Sequence, residues 1–162
     1  MNTDHPLTAI VGQTVVETLT GPMDMVEGPE LTGICTSKWY YFDLIVRLSQ
    51  GSVLCLSQGD YVLSRDVPAD ASPYPLTTDG GETCVGKRVL DLIRWADGGA
   101  PSLYLLLEGG FYIENASLPG GSVPICGNLR EWSPEELRDK AISLISGQVK
   151  TWESFADGPR GS

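Results

Sequence analysis

LYLLLEGGFYIEN, residues 103–115, is the most hydrophobic short run of the chain and carries Glu-Gly-Gly in its middle. Two apolar runs around a polar, glycine-containing turn are typical of a β-hairpin. Gly109–Gly110 would form that turn, because glycine readily adopts a positive φ angle. Residues 43–56, DLIVRLSQGSVLCL, show the same pattern with Gln50–Gly51 at the turn. The sequence therefore predicts two similar hairpins.

A second match precedes each hairpin. Residues 11–19 read VGQTVVETL and residues 85–93 read VGKRVLDLI. Both halves thus have a VGxxV strand, a connection and a hairpin, in that order. The connection is longer in the first half than in the second. We predict an internal duplication of a three-strand unit, with halves at about 11–63 and 85–126.

Both faces of each predicted hairpin are largely apolar. A turn at Gln50–Gly51 places Leu44 and Val53 on one face, and the second hairpin would group Leu103 with Tyr112. A sheet that is apolar on both faces needs cover on both sides. The cover could come from the other half-sheet, a helix or a partner chain.

One helix is predicted near the C-terminus. Ser133 and Glu136 form a capping box with Pro134 at the first helical position. Apolar residues with helical spacing follow, and Gly147 is a natural end point. We therefore predict a helix over residues 134–146. The expected fold class is α+β: antiparallel strands from the two units plus this helix, as one domain over 1–150, with a flexible tail at 151–162.

Three glycine- and proline-containing stretches are predicted to be long loops, at residues 20–38, 64–83 and 116–131. Long loops in a compact domain are often functional. Between the first of them and the first hairpin lies an aromatic run, residues 39–42, which is predicted to be a strand. If two of its side chains are exposed, they are candidates for contacts with a partner.

Composition restricts the function classes. The chain has 162 residues, 41% of them hydrophobic, and a formal net charge of −10. Such a charge is repelled by nucleic-acid phosphates and anionic membranes, so neither is an expected partner. The negative charge would favour binding to a basic protein partner. The alternative is that it serves only to keep the chain soluble. With no signal peptide or membrane-spanning segment recognisable, we expect a cytoplasmic protein. Its four cysteines, which form no CxxC pair, are expected to be free thiols, with a disulfide or a metal-binding role as the alternative.

No catalytic or metal-binding constellation is recognisable. The single histidine, His5, excludes His-based triads and multi-histidine metal sites. We therefore expect no catalytic residues, no metal and no cofactor. A carboxylate pair, Glu108 with Glu114 or Asp60 with Asp66, is the remaining route to acid–base chemistry. Glu114 would be partly buried or, as we favour from sequence, exposed at a strand edge.

The leading hypothesis is a small acidic binding protein, such as an immunity or antitoxin-type inhibitor that blocks a basic toxin or nuclease. Asp and Glu would pair with the partner's Lys and Arg around an aromatic anchor. The expected contact residues are Trp39, Tyr41, Asp60, Asp66 and Asp70. The alternatives are a homodimer or larger homo-oligomer acting as an interaction or scaffold module, and a carboxylate-dependent hydrolase or lyase.

Overall fold

The structure is a computed structural model and describes residues 6–21, 24–28, 37–41, 43–57, 60–78, 80–95, 103–115, 118–119, 128–131 and 140–151. These segments form a 3₁₀ helix, Pro6–Ile10, and fourteen β-strands. In chain order the strands are β1 (Val15–Thr20), β2 (Asp24–Gly28), β3 (Ser37–Tyr41), β4 (Leu44–Leu48), β5 (Val53–Leu56), β6 (Tyr61–Ser64), β7 (Ser72–Pro73), β8 (Val89–Trp95), β9 (Leu103–Leu107), β10 (Phe111–Glu114), β11 (Leu118–Pro119), β12 (Asn128–Glu131), β13 (Lys140–Ser143) and β14 (Val149–Thr151).

The strands form three antiparallel sheets. The first has the order β6-β5-β4-β1-β7, and the second has the order β12-β10-β9-β8-β13-β14. A small third sheet has the order β11-β3-β2. No helix of seven or more residues occurs in the described segments. The predicted α+β class is therefore wrong, and the fold is mostly antiparallel β.

The predicted helix over 134–146 is also wrong. Residues 140–143 form β13, and the chain turns at 144–146 before β14; residues 132–139, including the capping box, lie outside the described part. The β13 backbone pairs with β8, and the Ser143 hydroxyl donates to the buried Asp91 carboxylate at 2.8 Å. These long-range bonds override the local helical spacing, because helix propensity amounts to only tenths of a kcal/mol per residue.

Both predicted hairpins are present, but each is one residue out of the predicted register. The Leu48 N–H donates to the Ser52 carbonyl, and Leu107 pairs with Phe111, so each turn has three residues between its closing pair rather than two. A one-residue shift moves every side chain of the returning strand to the other face. Val53 and Leu44 therefore lie on opposite faces of the first sheet, and Tyr112 and Leu103 lie on opposite faces of the second.

The two halves share their connectivity. Four strands, β1-β4-β5-β6, form an antiparallel meander in the first sheet, and β8-β9-β10-β12 form the same meander in the second. The register of β1 shifts between Val15 and Glu17, and that of β8 shifts between Val89 and Asp91, the matching positions of the second half. A β-bulge at the same position bends both strands in the same way.

The two halves meet around an approximate twofold axis. The N–H of Gly12 donates to the Val89 carbonyl at 2.9 Å, and the N–H of Gly86 donates to the Val15 carbonyl at 2.8 Å. Thr14 and Arg88, which occupy the same place in the two VGxxV motifs, form an antiparallel bridge between the two sheets. Gly12 and Gly86 both have a φ angle of 91°. The VGxxV motif thus places a left-handed glycine turn at the junction of the halves.

One hydrophobic core lies between the two sheets. It combines the inward-facing residues of both meanders, such as Leu48 and Leu54 from the first and Leu107 and Ile113 from the second. On the outer face of the first sheet, Leu19, Ile45 and Val53 form a second buried cluster, against which Ala71 packs. The segment that leads from β6 to β7 therefore contributes part of the cover that the apolar outer face requires.

The three predicted loops contain strands. Residues 24–28 form β2, residues 72–73 form β7, and the third stretch contributes β11 and β12. The aromatic run is confirmed as a strand over residues 39–41 of β3, which pairs with β2 and β11. Backbone pairing thus continues through segments that their Gly and Pro content had indicated to be irregular.

Candidate functional site

Two of the predicted contact residues lie near one end of the first sheet. Strand pairing aligns one residue from each strand into a row across this end: Ser72, Thr20, Leu44, Leu56 and Tyr61. Asp60 immediately precedes this row in β6, and Asp70 lies two residues before it in the segment that enters β7. Both side chains are exposed.

A third carboxylate at this end was not identified from sequence. Asp43 directly precedes Leu44 in β4, and its side chain is exposed. It lies two strands from Asp60, which corresponds to about 10 Å at the usual strand spacing. We call Asp43, Asp60 and Asp70 the acidic end of the first sheet. Asp43 and Asp60 lie at the same end because β4 pairs with β5 and β5 pairs with β6, and the second of these pairings was not predicted from the sequence.

The other predicted contact residues are placed differently. Asp66 follows β6 and is exposed, but it lies beyond Ser64, at the opposite end of that strand from Asp60. Trp39 and Tyr41 lie in β3, where the backbone is described and the side chains are not. Asp60 and Asp66 therefore flank the β6 edge of the first sheet, whereas Asp70 lies beside β7 at the opposite edge. The aromatic anchor remains a prediction.

Four ion pairs of the described residues are formed by glutamates. Their partners are an arginine in three cases and a lysine in one: Glu17–Arg47, Glu82–Lys87, Glu108–Arg88 and Glu114–Arg130. None of these pairs includes Asp60, Asp66 or Asp70. These four cations neutralise carboxylates elsewhere, and none of the three exposed aspartates forms an ion pair within the described part of the chain. Arg65 precedes Asp66 directly, but its guanidinium donates to the Gln50 carbonyl at 3.4 Å.

Asp60 has a defined orientation. Its Oδ1 accepts a hydrogen bond from the N–H of Tyr61 at 2.8 Å, at the start of β6. Strand β6 is at the edge of the first sheet. Tyr61 and Leu63 point inward and pack on the core, whereas the Val62 side chain is 59% exposed. The edge therefore combines an exposed apolar side chain with Asp60 at one end and Arg65 followed by Asp66 at the other.

The Cys55 thiol lies on the outer face of the first sheet, paired across the ladder with Val62. Burial raises the pKa of this thiol above its ordinary value, and the negative charge of Asp43 raises it further. Burial also raises the pKa of Cys84, which is fully buried in the core. Both cysteines are free, but a raised pKa disfavours the reactive thiolate. Cys35 and Cys126 lie outside the described residues.

The carboxylate pairs considered from sequence do not converge. Glu108 lies in the β9–β10 turn and pairs with Arg88, whereas Glu114 lies at the far end of β10, about 10 Å along the strand. Asp60 and Asp66 flank β6 at opposite ends. Glu114 is only 8% exposed and pairs with Arg130 at 2.8 Å, so the favoured expectation of a solvent-exposed Glu114 is wrong.

The described part of the chain contains no group of three or more His, Cys, Asp or Glu residues arranged to hold a metal ion. In those same segments, no helix has the length and apolar character required to span a membrane. Comparison with models of protein families, with curated proteins and with solved structures found no significant match.

Proposed function

We propose that this chain is an acidic protein-binding protein that inhibits a basic partner, in the manner of an immunity or antitoxin-type protein. The observation that carries the proposal is the set of exposed aspartates Asp60, Asp66 and Asp70, which lie outside the ion pairs of the described residues. Asp60 and Asp66 flank edge strand β6, and Asp70 lies at the same end of the sheet as Asp60 but beside β7, at the opposite edge. Such a surface accelerates encounter with a positively charged protein and disfavours anionic partners.

The mechanism is occlusion. Carboxylates at the acidic end would pair with lysine or arginine side chains of the partner. The bound chain would then cover the partner's functional site, to which those lysines and arginines belong. The net charge of −10 also attracts a positively charged partner over a longer distance. Ionic strength screens such attraction, so the affinity of the complex should fall as salt rises.

The test is capture of partners by the tagged full-length chain from its own cells, at low and at high salt. We expect a stoichiometric basic protein that is retained at low salt and weakened at high salt. The variant Asp60→Asn/Asp70→Asn should lose most of it. The control Glu82→Gln/Glu131→Gln removes the same amount of charge from other exposed positions and should retain it. Recovery of the chain alone at low salt, or equal loss by both variants, contradicts the proposal.

Inhibition is tested on the captured partner. Adding the purified chain should abolish the partner's activity at a one-to-one ratio, and the Asp60→Asn/Asp70→Asn variant should need a large excess. A partner that binds but keeps its activity would show that the chain is not an inhibitor.

A further inference from the structure

Strand β6 presents backbone groups on the side away from β5, where no other described strand pairs with it. The N–H of Ser57 donates to the Asp60 carbonyl at 2.9 Å, which makes these residues a hydrogen-bonded pair of the β5–β6 hairpin. Hydrogen-bonded and non-hydrogen-bonded pairs alternate along an antiparallel ladder. The Leu54–Leu63 pair is therefore a non-hydrogen-bonded one, and the N–H and C=O of Leu63 point away from β5.

The equivalent edge of the second sheet differs. Strand β12 occupies the place of β6 in the second meander, and it carries Arg130, paired with Glu114, and the exposed Glu131. Charged side chains on an edge strand disfavour pairing with another chain. Strand β6 has no charged residue, and its Val62 is 59% exposed. Of these two equivalent edges, β6 is the one that lacks this protection.

Charge selects the occupant. Asp60 and Asp66 flank β6, whereas Arg65, which lies between β6 and Asp66, directs its guanidinium to the Gln50 carbonyl in the β4–β5 turn at 3.4 Å. A second copy of this chain added at the edge would bring carboxylates of two molecules together, each of net charge −10. An extended segment of a basic protein would instead place cations beside both aspartates. Asp60 and Asp66 are six residues apart, and the chain bends at Arg65 after β6 ends. Matching cations would therefore be separated by at most about six residues, or roughly 20 Å in an extended chain.

We propose that β6 accepts an extended basic segment of the partner as an additional strand, with backbone hydrogen bonds to Leu63 and ion pairs to Asp60 and Asp66. This is β-augmentation, in which backbone bonds supply affinity and the flanking side chains supply specificity. The inference rests on the proposed function and specifies how the partner is held.

The probe is the peptide Lys-Val-Thr-Val-Thr-Val-Lys, titrated into the full chain at low salt. A control peptide carries Glu at both ends. We expect the basic peptide to bind and to slow hydrogen exchange of the Leu63 amide by at least about tenfold, because that amide gains a hydrogen bond. The acidic peptide should not bind. Unchanged exchange at Leu63 with millimolar basic peptide, or equal binding of both peptides, overturns the proposal.

Matched variants test the position of the site. Val62→Lys adds a cation at β6, and Val85→Lys adds one at a similarly exposed valine outside it, which is 50% exposed. Val62→Lys should reduce peptide binding at least about tenfold through like-charge repulsion, whereas Val85→Lys should leave it within about twofold. Equal effects of the two variants would overturn the proposal.

The two proposals fail differently. Suppose the basic partner is captured by the wild-type chain and lost from Asp60→Asn/Asp70→Asn, yet Leu63 is unprotected in that complex. Strand addition is then wrong while the proposed function stands. If no basic partner is captured but the peptide protects Leu63, the edge accepts basic strands and the inhibitor role is wrong.

Discussion

Glu17 and Asp91 lie at equivalent positions of the two meanders, directly after the β-bulge of each first strand. The Glu17 side chain is 39% exposed and pairs with Arg47 at 2.9 Å. Asp91 is only 4% exposed, and Leu106 faces it where Arg47 faces Glu17. Its carboxylate instead accepts hydrogen bonds from the Ser143 hydroxyl and the Leu92 N–H, both at 2.8 Å.

Equivalent positions beside the glycine turn of each half also carry different polar interactions. Gln13 is buried and donates to the Ser52 hydroxyl at 2.9 Å. At the equivalent positions, the Lys87 ammonium lies 4.2 Å from the centroid of the Phe111 ring. The backbone bonds around these pairs are the same in both halves. The comparison shows that the shared four-strand meander depends on backbone hydrogen bonds, glycine turns and apolar alternation. The polar side chains at equivalent positions differ between the two halves without changing it.

The largest expected effect concerns the shared core. Leu48 and Leu107 are equivalent, and both are fully buried in one cluster. Leu48→Ala and Leu107→Ala should each lower the free energy of unfolding by about 3 kcal/mol, from lost transfer energy and the cavity. Urea denaturation followed by circular dichroism should show one transition for each variant. Two transitions, each shifted by only one variant, would mean that the halves fold independently.

The two acidic positions should differ next. Asp91→Ala leaves the Ser143 hydroxyl and the Leu92 N–H without their buried acceptor, and should cost about 2–3 kcal/mol. Glu17→Ala removes a half-exposed ion pair and should cost less than about 1 kcal/mol. Chemical denaturation of both variants at neutral pH measures the difference. Equal costs would show that the buried position contributes nothing beyond the exposed one.

The glycine turns should respond alike in both halves. Gly12→Ala and Gly86→Ala each force a side chain into a φ of 91°, although no atom lies within 4 Å of the added Cβ. Each should cost about 1–2 kcal/mol from backbone strain alone. Gly80→Ala, at a position without positive φ, is the matched control and should be close to neutral. Thermal unfolding of the three variants separates the backbone strain from the effect of adding a methyl group, and a near-neutral result for all three would contradict the assignment.

The smallest expected effect is the pH dependence from Cys84, the equivalent of Ile10. Burial raises the pKa of the Cys84 thiol above its ordinary value of 9.0. As pH rises, the thiol therefore loses its proton at a lower pH in the unfolded chain than in the folded one. Stability should therefore fall as pH rises above about 9. The fall should be smaller in Cys84→Ala than in the wild type when unfolding is measured from pH 8 to 10, roughly the range in which exposed thiols titrate. An identical slope in both proteins would contradict the assignment.

The hairpins and the aromatic strand were predictable because their signals are local: alternation, a run of aromatics and a glycine at each turn. The register was not, because a two-residue and a three-residue turn containing the same glycine differ by one position. That single residue reverses the faces of Val53 and Tyr112. The helix at 134–146 failed for a related reason, since the apolar spacing around Ile142 suits a helix as well as a strand paired to β8.

The candidate site was predictable only in part. Composition identified exposed aspartates as the expected contact residues, and the structure places Asp60 and Asp70 at one end of the first sheet. Asp43 joins them because β4 pairs with β5 and β5 with β6, and the local sequence has no signal for that alignment. The contrast between β6 and β12 likewise depends on which strands end a sheet, and that follows from topology.

The sequence by itself determined the strand-rich character of the chain, the positions of its glycine turns and its strongly negative charge, because these depend on each residue's own conformational and ionic properties. Only the tertiary structure decided which faces are buried, which residues pair with the glutamates and which of the described strands end each sheet. Those outcomes depend on contacts between residues far apart in the chain. The free energy of such contacts exceeds local preferences of tenths of a kcal/mol.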